Sequence, residues 1–173
     1  YLKNFQGSNE LASISYSSIS ITKSNEHKQL LTDIIKDGIK LLHFESHCFN
    51  PHAQETVGEV VNQLIYDNEL TRDEIYFCLK GGYFDSKNTS GDDYEVKVDS
   101  QFIHNLSFAS ITKSIKESLI RFGIKTLDSF LIQDPDYFFK RDEIKNLSHD
   151  KQKVLFYEYL IELFSHLELE IKQ

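Results

Sequence analysis

Three histidines and a cysteine within ten residues form the first cluster of side chains in the sequence that could do chemistry. His43, His47, Cys48 and His52 offer imidazole nitrogens and a thiol, which are ligands that zinc prefers in proteins. Their spacing matches none of the ligand patterns of structural zinc sites, and His43 falls in a predicted strand while the others follow in a loop. We therefore interpret the cluster as a polar strand residue followed by a loop and predict no metal site.

Any site must be positioned by the elements that the hydrophobic periodicity predicts. The strands are predicted at 14–21, 39–46, 75–79 and 127–132, and the helices at 30–38, 53–65, 107–122 and 157–171. The polar segment 85–105 is predicted to be a long loop. Alternating strands and helices indicate an α/β fold with a parallel sheet. The pattern fits both an open, doubly wound sheet and part of a (β/α)₈ barrel.

Two segments near the end of the sequence are rich in aromatic side chains. The last helix is predicted to pack through one apolar face, made of Tyr157, Leu160, Ile161, Phe164, Leu167 and Ile171. The other segment, Tyr137 to Phe139, follows Pro135 in a predicted loop. Three consecutive aromatic rings in a loop cannot all face one core, so we expect some of them to meet a neighbouring surface.

Composition and charge exclude several classes of function. The chain has 173 residues, of which 40% are hydrophobic and 27% charged, as in ordinary globular proteins. Its net charge of -8, without a basic block, argues against nucleic acid or an anionic membrane surface as the main partner. No apolar run approaches the roughly 20 residues of a membrane span. Cys48 and Cys78 lack paired spacing and are expected to be free thiols in a reducing, intracellular compartment.

The start of the sequence raises the question of processing. The chain begins at Tyr1 and contains no methionine. We therefore expect either that a leader was removed or that the sequence is a segment of a longer protein. Removal of a leader during organelle import makes a mitochondrial location one hypothesis. Residues 1–12 show no clear period and are predicted to be an N-terminal arm, with a single domain at 13–173.

Five segments, in order along the chain, resemble motifs of the aldo-keto reductase family. The stretch at 37–46 is similar to the "GIN-x-x-DTA" that ends the family's second strand, and 54–58 resembles "SE-x-x-hG" in the next helix. The segment 71–82 resembles "RDEV…TK-x-G", and 115–132 resembles "SL-x-RLG-x-x-x-IDL-x-x-IH-x-P". Residues 156–168 resemble the helix before the family's "GKI" strand. The resemblance implies parallel units of a TIM-type barrel, truncated to about four units.

The resemblance also implies where catalytic residues would lie. The family reduces carbonyls with a tyrosine acid, a lysine that lowers the pKa of that tyrosine, an aspartate paired with the lysine, and a histidine. Carried over, the aspartate position holds Glu45, the lysine position Lys80, the tyrosine position Asn50 and the histidine position Gln133. An amide cannot donate a proton as a phenol does, so the tetrad is degenerate and no catalytic residue is expected.

The two charged positions of the tetrad and one nearby tyrosine carry further expectations. Glu45 and Lys80 are expected to form a buried ion pair that holds strand ends in register. Tyr83 lies near Lys80 in sequence and is a candidate substitute for the missing phenol, on proximity alone.

Three functions in different classes are compatible with these residues. The leading one is a catalytically inactive aldo-keto reductase-like protein that serves as a structural or accessory subunit of a larger complex. The second is an NADPH-dependent oxidoreductase whose second half lies outside this chain, and the third is a sensor that binds the cofactor without turning it over. The first implies no cofactor. Its open barrel side would be covered by other protein subunits, by the remainder of the protein or by a second copy.

Overall fold

The computed structural model describes residues 15–17 and 20–171, which divide into two compact units. The first unit comprises the described residues up to Gly81 together with Ile115–Leu131, and the second comprises Gly82–Ser114 and the described residues from Ile132 onward. The predicted arm at 1–12 lies outside the described residues and stays a prediction.

The predicted helices and strands are present in the predicted order, and three short strands that were not predicted lie between the third predicted strand and the third predicted helix. They are β1 (Ser15–Ser17), α1 (Asn25–Lys36), β2 (Leu41–Phe44), α2 (Ala53–Tyr66), β3 (Tyr76–Gly81), β4 (Tyr83–Asp85), β5 (Glu95–Lys97), β6 (Phe102–Asn105), α3 (Phe108–Phe122), β7 (Ser129–Ile132) and α4 (His149–Ile171). Strands β1, β2, β3 and β7 form one sheet in that spatial order, and the pairs β1–β2 and β2–β3 are parallel. An order that follows the chain without reversal is that of a (β/α)₈ barrel wall, whereas doubly wound sheets reverse at a switch point.

One face of this sheet carries the apolar core of the first unit. Side chains alternate between the two faces of a strand, so Phe44 and Phe77 point to the helices, where they meet Phe122 of α3. The Phe122 ring lies 4.5 Å from that of Phe44 and 5.1 Å from that of Phe77, in both cases edge to face. All three residues are almost fully buried. The opposite face of the sheet therefore carries the side chains between them, among them His43.

Helix ends follow from local sequence signals. The hydroxyl of Ser24 accepts a hydrogen bond from the amide of His27 and caps α1. Gly123 ends α3 with φ of +65°, a backbone conformation that glycine adopts without the strain of a side chain. The end of α3 at Gly123 agrees with the sequence prediction, whereas α1 begins at Asn25, five residues before the predicted start.

The second unit contains a sheet that the sequence analysis did not predict. The segment 85–105 is not a long loop, because β4 and β5 both pair with β6 in an antiparallel sheet of order β4-β6-β5. The turn before β5 is fixed by the carboxylate of Glu95, which accepts hydrogen bonds from the backbone amides of Ser90 and Gly91. Strands of three or four residues have too little periodicity to be recognised without their partners.

Helix α4 is longer than predicted and packs through a different face. It begins at His149, and its deeply buried apolar residues are Leu163 and Leu167. Leu167 was predicted to face the core, but Tyr157, Ile161 and Phe164 were also predicted there and are 62%, 70% and 41% exposed. The prediction for these three residues is wrong, because α4 has two apolar faces and sequence periodicity does not tell which one is covered.

Among the described residues, no helix is both long and apolar enough to cross a membrane.

Candidate functional site

The ends of β2 and β3 bring together two of the four residues carried over from the family motifs. Parallel pairing places His43 opposite Cys78. Because side chains on one face recur every second residue, Glu45 and Lys80 follow as the next neighbours on that face. The Nζ atom of Lys80 lies 2.9 Å from Oε1 of Glu45, and the two side chains are only 27% and 14% exposed. The ion pair expected from the sequence is therefore present in the structure.

His43 lies next to this ion pair on the same face of the sheet. Burial lowers the pKa of its imidazole below the usual value, the positive charge of Lys80 lowers it further, and the carboxylate of Glu45 offsets part of the effect. Its buried Nε2 atom has no hydrogen-bond partner among the described residues. A neutral imidazole beside an ammonium group follows from this electrostatic environment.

Asn50, at the position of the family's catalytic tyrosine, uses its side chain to hold the local backbone. Its Nδ2 donates to the carbonyl of Ile21 at 2.8 Å, and its Oδ1 accepts from the amide of His52 at 3.2 Å. These contacts tie the short helix at His47–Phe49 and the start of α2 to the segment before α1. The amide thus has a structural use that requires no ionisation.

The histidine–cysteine cluster that follows β2 does not converge on one point. Among residues 15–17 and 20–171, no group of three histidine, cysteine, aspartate or glutamate side chains is arranged to hold a metal ion. Burial lowers the pKa of His47, and the nearby charge of Arg121 lowers it further. Cys48 is half-buried, Cys78 is buried, and neither forms a disulfide bond within the described part of the chain.

Gln133, at the position of the family's histidine, belongs to the second unit. Its backbone carbonyl lies 2.8 Å from Nε2 of His104, a histidine that is 1% exposed at the end of β6. The ring of Tyr137 stacks on His104 with centroids 4.9 Å apart, and Lys140 covers Tyr137 with Nζ 3.6 Å from the ring centroid. The imidazole next to Gln133 is thus enclosed by an aromatic ring and a backbone acceptor.

Tyr83, the substitute phenol suggested by the sequence, is held in the same cluster. Its hydroxyl donates to Oδ2 of Asp134 at 2.6 Å, and its ring meets that of His104 edge to face. Burial raises the pKa of Tyr83 above the usual value, and the hydrogen bond to the Asp134 carboxylate raises it further. A phenol with a raised pKa is a weaker proton donor near neutral pH, so this environment works against a role as general acid.

The second unit also accounts for the aromatic residues 137–139. They lie in a short 3₁₀ helix at Pro135–Lys140 rather than in a loop. Phe138 is buried, and Phe139 packs against Phe138 and Phe156. All three rings therefore have contacts within their own unit, and the expectation that some of them also meet a neighbouring surface stays a prediction.

Other residues of the quoted motifs meet each other within the first unit. The guanidinium of Arg72 contacts Oδ2 of Asp128 at 2.8 Å, and the same oxygen accepts from the amide of Phe77. A Cβ atom on Gly58 would lie 2.5 Å from the carbonyl oxygen of Phe122, so only glycine allows α2 and α3 to approach this closely. These motif positions hold the β2–β3–β7 wall and its helices together.

Comparison with known proteins identifies the fold. No protein-family profile matches the sequence, and neither does any curated protein. Among solved structures, the chain is similar to an aldo-keto reductase of the silkworm Bombyx mori, with 16% identity and a TM-score of 0.50 over 70% of this chain and 32% of that one. It is also similar to the holo form of an aldo-keto reductase from Bacillus halodurans, with 14% identity and a TM-score of 0.53 over 86% of this chain and 42% of that one.

These similarities show an aldo-keto reductase-like fold, as the sequence resemblance implied. The chain spans 32% and 42% of the length of the two structures, which agrees with parallel units of part of a barrel. Sequence reasoning did not identify His104 or Asp134 as residues of this cluster, and it noted Tyr137 only as an aromatic residue in a predicted loop. The one available signal was Asp134-Pro135 directly after a strand, and Asp134 does adopt a left-handed conformation with φ of +44°.

Proposed function

We propose that this protein is a catalytically inactive relative of the aldo-keto reductases that serves as a structural or accessory subunit of a larger protein complex. The observation that carries the proposal is the environment of Asn50. The residue at the position of the proton-donating tyrosine has no ionisable group, and its amide is engaged with the backbone at Ile21 and His52. The Lys80–Glu45 contact corresponds to the lysine–aspartate pair of the family, but the phenol whose pKa that lysine would lower has no counterpart at Asn50.

The contrast between two groups of motif residues supports the same proposal. Residues that hold the fold together, such as Gly58 and the Arg72–Asp128 pair, are kept and make close contacts. The positions where the family places its phenol and its imidazole hold the amides Asn50 and Gln133. A scaffold protein depends on its surface and its stability, so it must keep the residues that pack the fold but not the catalytic residues.

An activity assay on the purified protein tests the first half of the proposal. We expect no oxidation of NADPH in the presence of an aromatic aldehyde such as benzaldehyde, and no quenching of NADPH fluorescence on titration with the protein. Aldehyde-dependent NADPH oxidation that is lost in Lys80→Met would overturn the proposal, because it would assign the retained ion pair to catalysis. The matched control is Lys40→Met, which removes a lysine from a more exposed ion pair, Lys40–Glu74.

Purification from the native source under mild conditions tests the second half. We expect a fixed set of other proteins at constant stoichiometry, identified by mass spectrometry. A protein that elutes without companions and carries bound NADPH would instead favour an oxidoreductase or a cofactor-binding sensor.

A further inference from the structure

One peptide group in the first unit is held at both ends by side chains. The group joins Ile21 to Thr22, and because a peptide group is planar, its carbonyl and its N–H move together. The carbonyl end, on Ile21, accepts a hydrogen bond from Nδ2 of Asn50 at 2.8 Å. The N–H end, on Thr22, donates to Nδ1 of His27, also at 2.8 Å. His27 in the first turn of α1 and Asn50 in the loop after β2 are therefore linked through this single group.

We infer that His27 is a proton-sensitive latch on this peptide group, and that protonation of its imidazole releases the group and weakens its contact with Asn50. The inference goes beyond the proposed function, because it concerns how the loop after β2 is held and not what the protein binds. It rests only on the hydrogen bonds at Ile21 and Thr22, so it holds whether or not the protein is catalytic.

The hydrogen bond from Thr22 fixes the protonation state of His27. A backbone N–H can only donate, so Nδ1 must offer its lone pair, and the neutral ring must carry its proton on Nε2. After protonation both ring nitrogens are donors, and the Nδ1 proton would point at the amide proton of Thr22. The charged ring could still donate to the Thr22 hydroxyl, whose oxygen also lies 2.8 Å from Nδ1, but the backbone hydrogen bond would be lost. Protonation therefore replaces an attraction at this N–H by a repulsion.

The surroundings of His27 do not favour a charged ring that keeps its place. The charged side chains around it belong to its own segment and to α2; they are Lys23, Glu26, Lys28, Glu55 and Glu59. Both lysines form ion pairs with the two glutamates of α2, so these charges largely offset each other. The ring lies in the first turn of α1, where the free backbone N–H groups of a helix disfavour a positive charge. We therefore expect the latch to open when His27 takes up a proton.

Release of the Thr22 N–H affects the contact at the other end of the peptide group. Hydrogen bonds at the two ends polarise each other, so loss of the acceptor for the N–H makes the Ile21 carbonyl a poorer acceptor. The side chain of Ile21 is 3% exposed and stays anchored, whereas Thr22 is exposed, so the plane between them can rotate. Asn50 is the C-terminal cap of the short helix at His47–Phe49. The loop after β2 therefore loses part of this tie when the pH falls.

Amide hydrogen exchange of the full chain, followed by NMR at pH 8 and pH 5, tests the inference across the range in which imidazoles titrate. After correction for intrinsic exchange, we expect the Thr22 amide to be about fivefold less protected at pH 5, the factor that loss of one hydrogen bond predicts. His27→Asn keeps an acceptor oxygen near the Nδ1 position but takes up no proton, so its Thr22 protection should not change with pH. The matched control is His52→Asn, which removes another imidazole near Glu55 and should behave like the unmodified protein.

Equal Thr22 protection at the two pH values in the unmodified protein would overturn the latch, and this measurement stands even where a variant does not fold. The same fall in His27→Asn would also overturn it, because the fall would then come from a general loss of stability. Asn50→Ala tests the shared peptide group and should lower Thr22 protection several-fold at pH 8, although the Asn50 side chain bonds only to the carbonyl end. Unchanged protection in Asn50→Ala would disprove the link between the two ends.

Discussion

At the scale of single residues, the ammonium of Lys80 and the carboxylate of Glu45 have kept their contact while the residue at the phenol position has become an amide. The pair lies at the ends of β2 and β3, with both side chains mostly removed from solvent. A charge in such a place is costly unless its partner is present. Retention of the pair therefore has a structural explanation that does not involve catalysis.

A double-mutant cycle tests this explanation. We expect Lys80→Met and Glu45→Gln each to lower the free energy of unfolding, and the double variant to recover part of the loss, with a coupling of about 1 to 2 kcal/mol. The matched control is Lys40–Glu74, which has the same nitrogen–oxygen distance of 2.9 Å but side chains that are 34% and 47% exposed. Chemical denaturation gives both couplings, and equal values for the two pairs would contradict the role of burial.

His104 gives a prediction about pH. Burial lowers the pKa of its imidazole below the usual 6.5, although the Gln133 carbonyl and nearby carboxylates offset part of this. Below pH 6.5 the unfolded chain therefore takes up a proton that the folded chain does not. The stabilising contribution of the neutral ring is complete above the unfolded pKa and is lost as the pH falls through the folded pKa.

We expect the free energy of unfolding to decrease as the pH is lowered below about 6.5, with a smaller slope in His104→Asn. NMR titration of the imidazole gives the pKa directly. A value at or above 6.5 would be incompatible with the buried, neutral ring.

At the scale of elements, the contact between α2 and α3 depends on the absence of a side chain at Gly58. Alanine has the higher intrinsic helix propensity, by about 1 kcal/mol, so Gly58→Ala would stabilise an isolated helix. In this structure the new Cβ would lie 2.5 Å from the carbonyl oxygen of Phe122, and backbone atoms cannot move away cheaply. Because of this contact, Gly58→Ala should destabilise the folded protein, although it would stabilise an isolated helix.

We expect Gly58→Ala to lower the free energy of unfolding by about 1 to 3 kcal/mol, the usual cost of overpacking. Gly91→Ala is the matched control, because Gly91 has nothing within 4 Å of its Cβ position and only a positive φ of 66° to oppose the substitution. Thermal or chemical denaturation measures both. If Gly58→Ala were neutral or stabilising, the close approach of the two helices would be disproved.

At the scale of the whole molecule, charge limits the partners. Four lysines of the first unit that are at least partly exposed each contact a glutamate; the pairs are Lys23–Glu55, Lys28–Glu59, Lys36–Glu69 and Lys40–Glu74. Nucleic acid would have to compete with these carboxylates and with the net charge of -8.

We therefore expect no electrophoretic shift of a DNA or RNA duplex at physiological salt. We also expect none when all four of these glutamates are replaced by glutamine, because the net charge then changes only from -8 to -4. Binding by the unmodified protein would contradict the charge argument, and binding by the variant alone would show that the paired lysines form a masked basic surface.

Much of the first unit was predicted from the sequence. Leu42, Phe44 and Phe77 lie in apolar runs that were predicted as strands, and Gly123 marks the predicted end of a helix. The order and spacing of the motifs, Gly58 among them, indicated a barrel of the aldo-keto reductase type. These signals are local, or repeat with the period of a single element, so they can be read from the sequence without knowing what the element contacts.

Other features were decided only by tertiary contacts. The antiparallel sheet at 83–105 exists because β6 supplies partners on both sides to strands that are too short to show a pattern. The face of α4 that packs was chosen by what covers it, since the helix offers apolar residues on two sides. The position of Asn50 could be predicted from the motif, but its use in fixing the backbone at Ile21 could not, because that contact joins residues 29 positions apart. Sequence periodicity determined the helices and the strands of the parallel sheet, and contacts between distant residues determined the short antiparallel strands and which surfaces are buried.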